Sequence, residues 1–193
     1  MENTNTLTDA QLVEMSKNNP ESFGLLMERY QWPLAGYIRR ITQLSAEDVQ
    51  DLLQEVFIKI YQNLNAYDAS LKFSSWAYRI AHNHVIDYFR RADARPKTNA
   101  LEDYEWEKIV QAGVRLEKHI ANKDCVEKIK LCLQELPIGY REVLILRFVE
   151  EKEYEEIMDI LQKPKGTVAT LIARGRKMLV EKMKEKGIDC LPN

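Results

Sequence analysis

The apolar residues of this chain recur mostly at the three- and four-residue spacing of amphipathic helices. The longest apolar stripe consists of Val49, Leu52, Leu53, Val56, Ile60 and Leu64. Thr8, with Gln11 three residues later, and Ser45 have the form of helix N-caps. Pro33 lies inside another stripe, where we expect it to kink or split a helix. The pattern therefore predicts an all-α fold.

The most informative local motif spans residues 153–168. A short helix is predicted there from five apolar positions on one face, which are Tyr154, Ile157, Met158, Ile160 and Leu161. Pro164 fits only the first turn of a following helix, so it separates two helices. Two helices joined by such a turn form a helix-turn-helix unit, whose second helix enters the DNA major groove. The alternative is a plain helical hairpin in an all-α core.

Charge is segregated across this motif. Residues 163–186 contain eight basic and two acidic residues, whereas residues 150–159 contain six acidic residues and one lysine. Neutralisation of phosphates is the main sequence-independent contribution to DNA affinity. The basic second helix therefore favours DNA binding over the plain hairpin.

Two predicted helices in the first half of the chain have side chains suited to binding a partner. The helix that follows Ser45 has an acidic first half, which either complements the helix dipole or docks on a basic partner. Residues 73–91 interleave aromatic side chains with cations and an amide, namely Trp76, Tyr78, Tyr88, Arg79, Asn83, Arg90 and Arg91. Such a mixture suits unstacked bases of a single strand, although the aromatic rings could equally belong to the core.

The helical pattern weakens in the middle of the chain and returns at Asp124. We therefore predict two small helical domains joined by a charged linker. The domains are an N-terminal helical bundle over residues 1–92 and a four-helix domain with the helix-turn-helix over residues 124–187. Residues 93–123 form the linker, whose charge makes it a poor part of any core.

Composition limits the class of protein. The chain has 193 residues, 45% of them hydrophobic and 30% charged, with a net charge of −2, so any nucleic-acid binding must rest on local basic patches. Three widely spaced cysteines indicate a reducing compartment rather than a disulfide framework. No signal peptide or membrane span is recognisable, so we expect a cytoplasmic protein that does not insert into membranes. His119, Cys125 and Cys132 match no zinc spacing, and we expect no metal or other cofactor.

Several motifs together resemble the extracytoplasmic-function (ECF) subfamily of bacterial sigma-70 factors. Residues 51–61 are similar to its polymerase-binding helix, and residues 73–91 are similar to its −10 promoter helix. Its −35-binding domain is matched by Leu136-Pro137, residues 141–147, residues 154–157 and Gly166-Thr167-Val168. The resemblance covers nearly all of the chain outside the linker and the termini. It implies an alternative sigma factor, not an enzyme, that binds core RNA polymerase through the β′ and β subunits. It also implies promoter DNA and an anti-sigma factor, either free or membrane-anchored, as partners.

The resemblance also implies three sets of contact residues. Those for core polymerase are Asp48, Asp51, Leu52, Gln54, Glu55, Phe57 and Ile58. Those for the −10 element are Trp76, Tyr78, Arg79, Asn83, Arg90 and Arg91, with Asn83 bonding a flipped base and Trp76 or Tyr78 stacking on it. Those for the −35 element are Lys165, Thr167, Thr170, Leu171, Arg174, Arg176 and Lys177.

The chain departs from the family at the start of the recognition helix. Ala169, Thr170 and Leu171 stand where the family usually has basic residues and a serine. We therefore expect weaker −35 affinity, or readout by thymine methyl contacts and DNA shape. A dimeric operator-binding repressor or activator is the main competing hypothesis. A metal-dependent hydrolase using His82 and His84, and a pure adaptor protein, are two others.

Overall fold

The computed structural model describes residues 7–92 and 123–188, and the secondary structure in these residues is entirely helical. The helices are α1 (Asp9–Asn18), α2 (Phe23–Thr42), α3 (Ala46–Gln62), α4 (Phe73–Ala92), α5 (Lys123–Gln134), α6 (Ile138–Leu144), α7 (Tyr154–Leu161) and α8 (Lys165–Glu185). Short 3-10 turns lie at Pro20–Ser22 and Leu64–Ala66, and α6 continues into a π-helical turn at Ile145–Val149. The predicted all-α fold is confirmed. The predicted linker lies outside the described residues, apart from Lys123 at the start of α5.

The chain divides into two compact units. Within the described residues, the first unit consists of residues 7–39 and 44–92, and the second of residues 40–43 and 123–188. None of the helices in the described ranges is long and apolar enough to cross a membrane.

The predicted caps begin helices in the first unit. Thr8 and Gln11 form a reciprocal capping box at α1, and the Ser45 hydroxyl accepts a hydrogen bond from the Asp48 amide at α3. Pro33 does not split α2, which is continuous from Phe23 to Thr42. Pro33 is exposed, so water can reach the backbone where the proline removes a helical hydrogen bond.

An aromatic cluster fills the core of the first unit near the start of α4. The Trp76 ring lies 5.6 Å from the Phe73 ring and 5.3 Å from the Tyr67 ring, measured between centroids. Phe73 also packs edge-on against Tyr30 of α2, at 5.2 Å. All four side chains are buried, and aromatic pairs at these distances add to the free energy of burial. The cluster therefore joins α2, α4 and the loop between α3 and α4.

The second unit is organised by the crossing of α6 and α8. Gly175 of α8 is buried, and a Cβ at this position would lie 3.3 Å from both Leu144 and the Tyr140 carbonyl. A glycine thus allows the two helices to approach closely. Arg141 stabilises the preceding turn, because its guanidinium donates to the carbonyls of Gln134 and Leu136. Pro164 lies immediately before α8, as predicted from the sequence.

Candidate functional site

The outward face of α3 combines acidic, amide and apolar side chains. Asp48, Asp51, Gln54 and Glu55 are exposed, and Ile58 is 55% exposed despite being apolar. Asp48 also serves the helix cap, since its carboxylate accepts a hydrogen bond of 2.6 Å from the Ser45 hydroxyl. An exposed isoleucine among carboxylates is suited to a partner with both apolar and basic groups.

Two residues predicted to contact polymerase do not belong to this face. Leu52 is 4% exposed and Phe57 is 5% exposed, and the Phe57 ring packs against Phe23 at 6.3 Å. They fall on the side of α3 that packs against the core, so they cannot form surface contacts in this structure. In this structure Leu52 and Phe57 lie beneath the exposed face, so our proposed contact set keeps only the exposed residues.

The predicted −10 residues of α4 also divide into an exposed group and a buried group. Asn83, Arg90 and Arg91 are exposed and Arg79 is partly exposed. Asp87 organises the end of this surface, because it lies 3.7 Å from the Arg90 guanidinium and its carbonyl accepts a bond from Arg91 Nε.

Trp76 and Tyr78 are buried, at 6% and 2% exposure. Trp76 belongs to the aromatic cluster, and the Tyr78 ring packs against Tyr37 at 5.0 Å. Stacking on a base requires an open ring face. In this structure both rings belong to the core, and neither presents an open face for stacking.

Sequence reasoning missed the placement of His84. The residue is buried on α4, and its Nε2 lies 2.8 Å from Oε2 of Glu55 on the exposed face of α3. Burial is the main cause that lowers the pKa of His84, while Glu55 acts in the opposite direction. The helical spacing from Ala77 and Ala81 places position 84 on the buried side of α4, and this signal could have identified it.

On α8, four of the predicted −35 residues share one exposed face. Thr167, Thr170, Arg174 and Lys177 follow one another at three- and four-residue spacing, and all are exposed. The Thr170 hydroxyl donates a 2.8 Å hydrogen bond to the Gly166 carbonyl, so its lone pairs and its methyl group remain for contact with a partner.

The other predicted −35 residues lie to the sides of this face or partly beneath it. Lys165 Nζ is 3.4 Å from Glu155 Oε1 on α7, and the pKa of the Glu155 carboxyl is lowered first by a hydrogen bond from its own backbone N–H and then by this lysine. The Arg176 guanidinium lies over the Phe148 ring, 5.8 Å from its centroid. Leu171 is only partly exposed. The four-residue face and its two flanking cations thus make up the exposed part of the predicted set.

Comparison with known proteins places both units in one family. Residues 26–95 match the family described as Sigma-70 region 2, and residues 127–179 match Sigma-70, region 4. The chain is 31% identical over 181 residues to the ECF RNA polymerase sigma factor SigW of Bacillus subtilis (strain 168), covering 90% of this chain and 95% of the relative. It is 32% identical over 185 residues to the ECF RNA polymerase sigma-E factor of Escherichia coli (strain K12), covering 92% and 95%.

Solved structures share the fold. One is CnrH in complex with the cytosolic domain of CnrY, with a TM-score of 0.65, 21% identity, and coverage of 90% of this chain and 96% of that chain. Another is the sigma factor RpoE in complex with the anti-sigma factor NepR from Bartonella quintana, with a TM-score of 0.66, 17% identity, and coverage of 85% and 98%.

The matches to regions 2 and 4, in this order along one chain, define a sigma-70-type transcription initiation factor. The chain belongs to the ECF RNA polymerase sigma factor family, which confirms the resemblance seen in the sequence.

Proposed function

We propose that this chain binds core RNA polymerase and directs it to promoters by reading a −10 and a −35 DNA element. The functional domains would be residues 1–92 and 124–187, joined by residues 93–123. The observation that carries the proposal is that α3 and α4 belong to one family-matched unit, and each exposes a different chemical surface. In this proposal the chain performs no chemistry of its own and acts in the cytoplasm with polymerase.

The α3 face is proposed to dock on polymerase. Its contact residues are Asp48, Asp51, Gln54, Glu55 and Ile58, all of them exposed. Carboxylates that face a basic partner accelerate encounter and set orientation, while an exposed apolar side chain such as Ile58 adds buried area. We propose the polymerase β′ and β subunits as that partner.

The exposed side of α4 is proposed to hold the −10 element. Asn83 offers an amide that can bond a flipped base, and Arg79, Arg90 and Arg91 can neutralise the backbone of a displaced strand. Since Trp76 and Tyr78 are buried, the base would be selected by hydrogen bonding at Asn83 and not by stacking on those rings.

The exposed face of α8 is proposed to lie in the major groove of the −35 element. Thr167, Thr170 and Arg174 would reach base edges or phosphates, and Lys177 would contact phosphate. Lys165 and Arg176 lie to the side of this face and would contact the DNA backbone. Leu171 is partly exposed, so any contact it makes would be apolar.

We also propose control by an anti-sigma factor. Two proteins of the same fold were captured with partners, CnrH with the cytosolic domain of CnrY and the sigma factor RpoE with the anti-sigma factor NepR. An inhibitor that covers any one of the three surfaces would block initiation. A protein that copurifies with the tagged chain and suppresses transcription when added back would support this control.

Run-off transcription with purified core polymerase and a promoter library tests the proposal. Transcripts that appear only when the chain is added, with enriched −10 and −35 sequences, would support it. Asp51→Lys should abolish these transcripts and core binding, because it reverses a charge on the proposed docking face. Glu28→Lys makes the same charge change at an exposed position of α2 and should leave both intact.

If no transcript forms and the chain does not bind core, the proposal is wrong. Sequence-specific binding to duplex DNA by the chain alone would then favour the operator-binding repressor or activator. The Asn83→Ala variant tests the −10 assignment, with Asn65→Ala as a control at another exposed amide. Only Asn83→Ala should impair strand opening, and neither should change core binding.

A further inference from the structure

His84 is a buried titratable side chain that the proposed function does not use. It is 2% exposed, and Nδ1 has no hydrogen-bond partner in the described part of the chain. Oε2 of Glu55 lies 2.8 Å from Nε2, at hydrogen-bond distance, and this interaction opposes the effect of burial on the pKa of His84. A buried polar group without an aligned partner is costly, so its presence calls for a physical reason.

The contact bears on which ring nitrogen carries the hydrogen. A ring nitrogen with a bare lone pair would repel a carboxylate oxygen at this distance, so the geometry favours the hydrogen on Nε2. Three charged groups act on the ring, Glu55 and Lys59 from α3 and Arg91 from its own helix. Burial and the two cations lower the pKa of His84, which favours the neutral ring.

Glu55 connects this buried ring to the surface. Its side chain is 58% exposed, so it can contact both His84 and a partner molecule. An exposed glutamate would otherwise sample many rotamers, and ordering it costs free energy when a complex forms. A carboxylate already held in place avoids part of that cost.

We propose that His84 is a positioning residue for polymerase docking, holding the Glu55 carboxylate in its docking orientation on the exposed face of α3. The promoter helix α4 thereby helps to define the geometry of the polymerase-binding face. This inference rests on the proposed function, in which Glu55 contacts polymerase.

Two buried amides provide a matched test. His84→Gln can place an N–H close to the position of Nε2, whereas His84→Asn is too short to reach Glu55. The affinity of each full-length variant for core polymerase is measured, and thermal unfolding confirms that each is folded. We expect His84→Gln to bind within about twofold of wild type and His84→Asn to bind about three- to tenfold more weakly, the range expected for ordering one side chain.

Glu55→Gln completes a double-mutant cycle with His84→Asn. If His84 acts through Glu55, His84→Asn should weaken core binding no further once Glu55 is replaced. Additive effects, or equal binding by the Gln and Asn variants of His84, would overturn the inference. Asp51→Lys separates the two hypotheses: if it leaves core binding intact, the docking proposal itself is wrong, whereas if it abolishes binding, any failure concerns His84 alone.

Discussion

Replacing Trp76 by alanine is the sharpest test of how the first unit is built. The indole is 6% exposed and packs against Phe73 and Tyr67. Removing a buried aromatic side chain to alanine typically costs about 3–5 kcal/mol, because both buried area and packing contacts are lost. Burying roughly 150–250 Å² at about 25 cal/mol per Å² gives about 4–6 kcal/mol, so the two estimates agree.

That loss is large compared with the total stability of a small helical unit. Folded domains are stable by about 5–15 kcal/mol, so Trp76→Ala should leave the first unit marginal or unfolded. Polymerase binding and promoter opening should then be lost together, since α3 and α4 both depend on this unit. Trp76→Phe keeps an aromatic ring in the cluster and should retain most of both activities.

Urea denaturation followed by circular dichroism measures the effect. With a slope of about 1–3 kcal/mol per M, a loss of 3–5 kcal/mol lowers the midpoint by about 1–5 M. Core binding and strand opening are assayed on the same samples. If Trp76→Ala unfolds within about 1 kcal/mol of wild type, binds core normally and fails only in strand opening, the indole acts on DNA and our assignment to the core is wrong.

Three further predictions concern α8 and the buried histidine. Arg174→Ala should make the plot of log affinity against log salt for −35 duplex less steep by about 0.9, as expected for one lost phosphate contact. Lys184→Ala should change this slope less. Equal slopes for the two variants would place the contact elsewhere. Gly175→Val should destabilise the second unit by about 1–3 kcal/mol through overpacking. A Cβ at Gly166 meets no atom within 4 Å, so Gly166→Ala should be nearly neutral. If Gly175→Val is as stable as wild type, α6 and α8 can separate at little cost. Burial lowers the pKa of His84 below 6.5, so the unfolded state binds more protons and stability should fall as pH drops from about 6.5 towards that lower pKa. The melting temperature should therefore fall more between pH 7.5 and pH 5 than it does in His84→Gln, and parallel curves would contradict this.

The elements of the fold could be predicted because their signals are local. A helix start depends on a side chain that bonds a backbone amide three residues away, so Thr8 with Gln11 and Ser45 revealed two starts directly. Pro164 marked the break before α8 for an equally local reason, because proline lacks the backbone N–H that a helix interior needs and is favoured where a helix begins. No tertiary contact is needed for these inferences.

The division between core and surface was harder to predict where a helix is covered on several sides. Residues 75–78 of α4 are all buried, although helical periodicity allows only part of such a run to face one neighbour. Tyr37 of α2 covers Tyr78, whereas Tyr67 from the preceding loop covers Trp76. Rings from two elements thus enclose opposite parts of one turn, and a single sequence contains no signal for that coincidence.

The contacts of the charged and polar residues in the first part of α8 indicate how this helix would bind DNA. Its two flanking cations are already engaged, Lys165 with Glu155 and Arg176 with the Phe148 ring. The Lys165–Glu155 pair is highly exposed and therefore contributes little to stability, so a DNA phosphate could displace Glu155 at small cost. Between the flanks, Thr170 offers a methyl group and acceptor lone pairs rather than charge, because its hydroxyl hydrogen is bonded to Gly166. Recognition by this helix should therefore combine salt-dependent affinity at the flanks and at Arg174 with contacts near Thr170 that depend on shape and on thymine methyl groups.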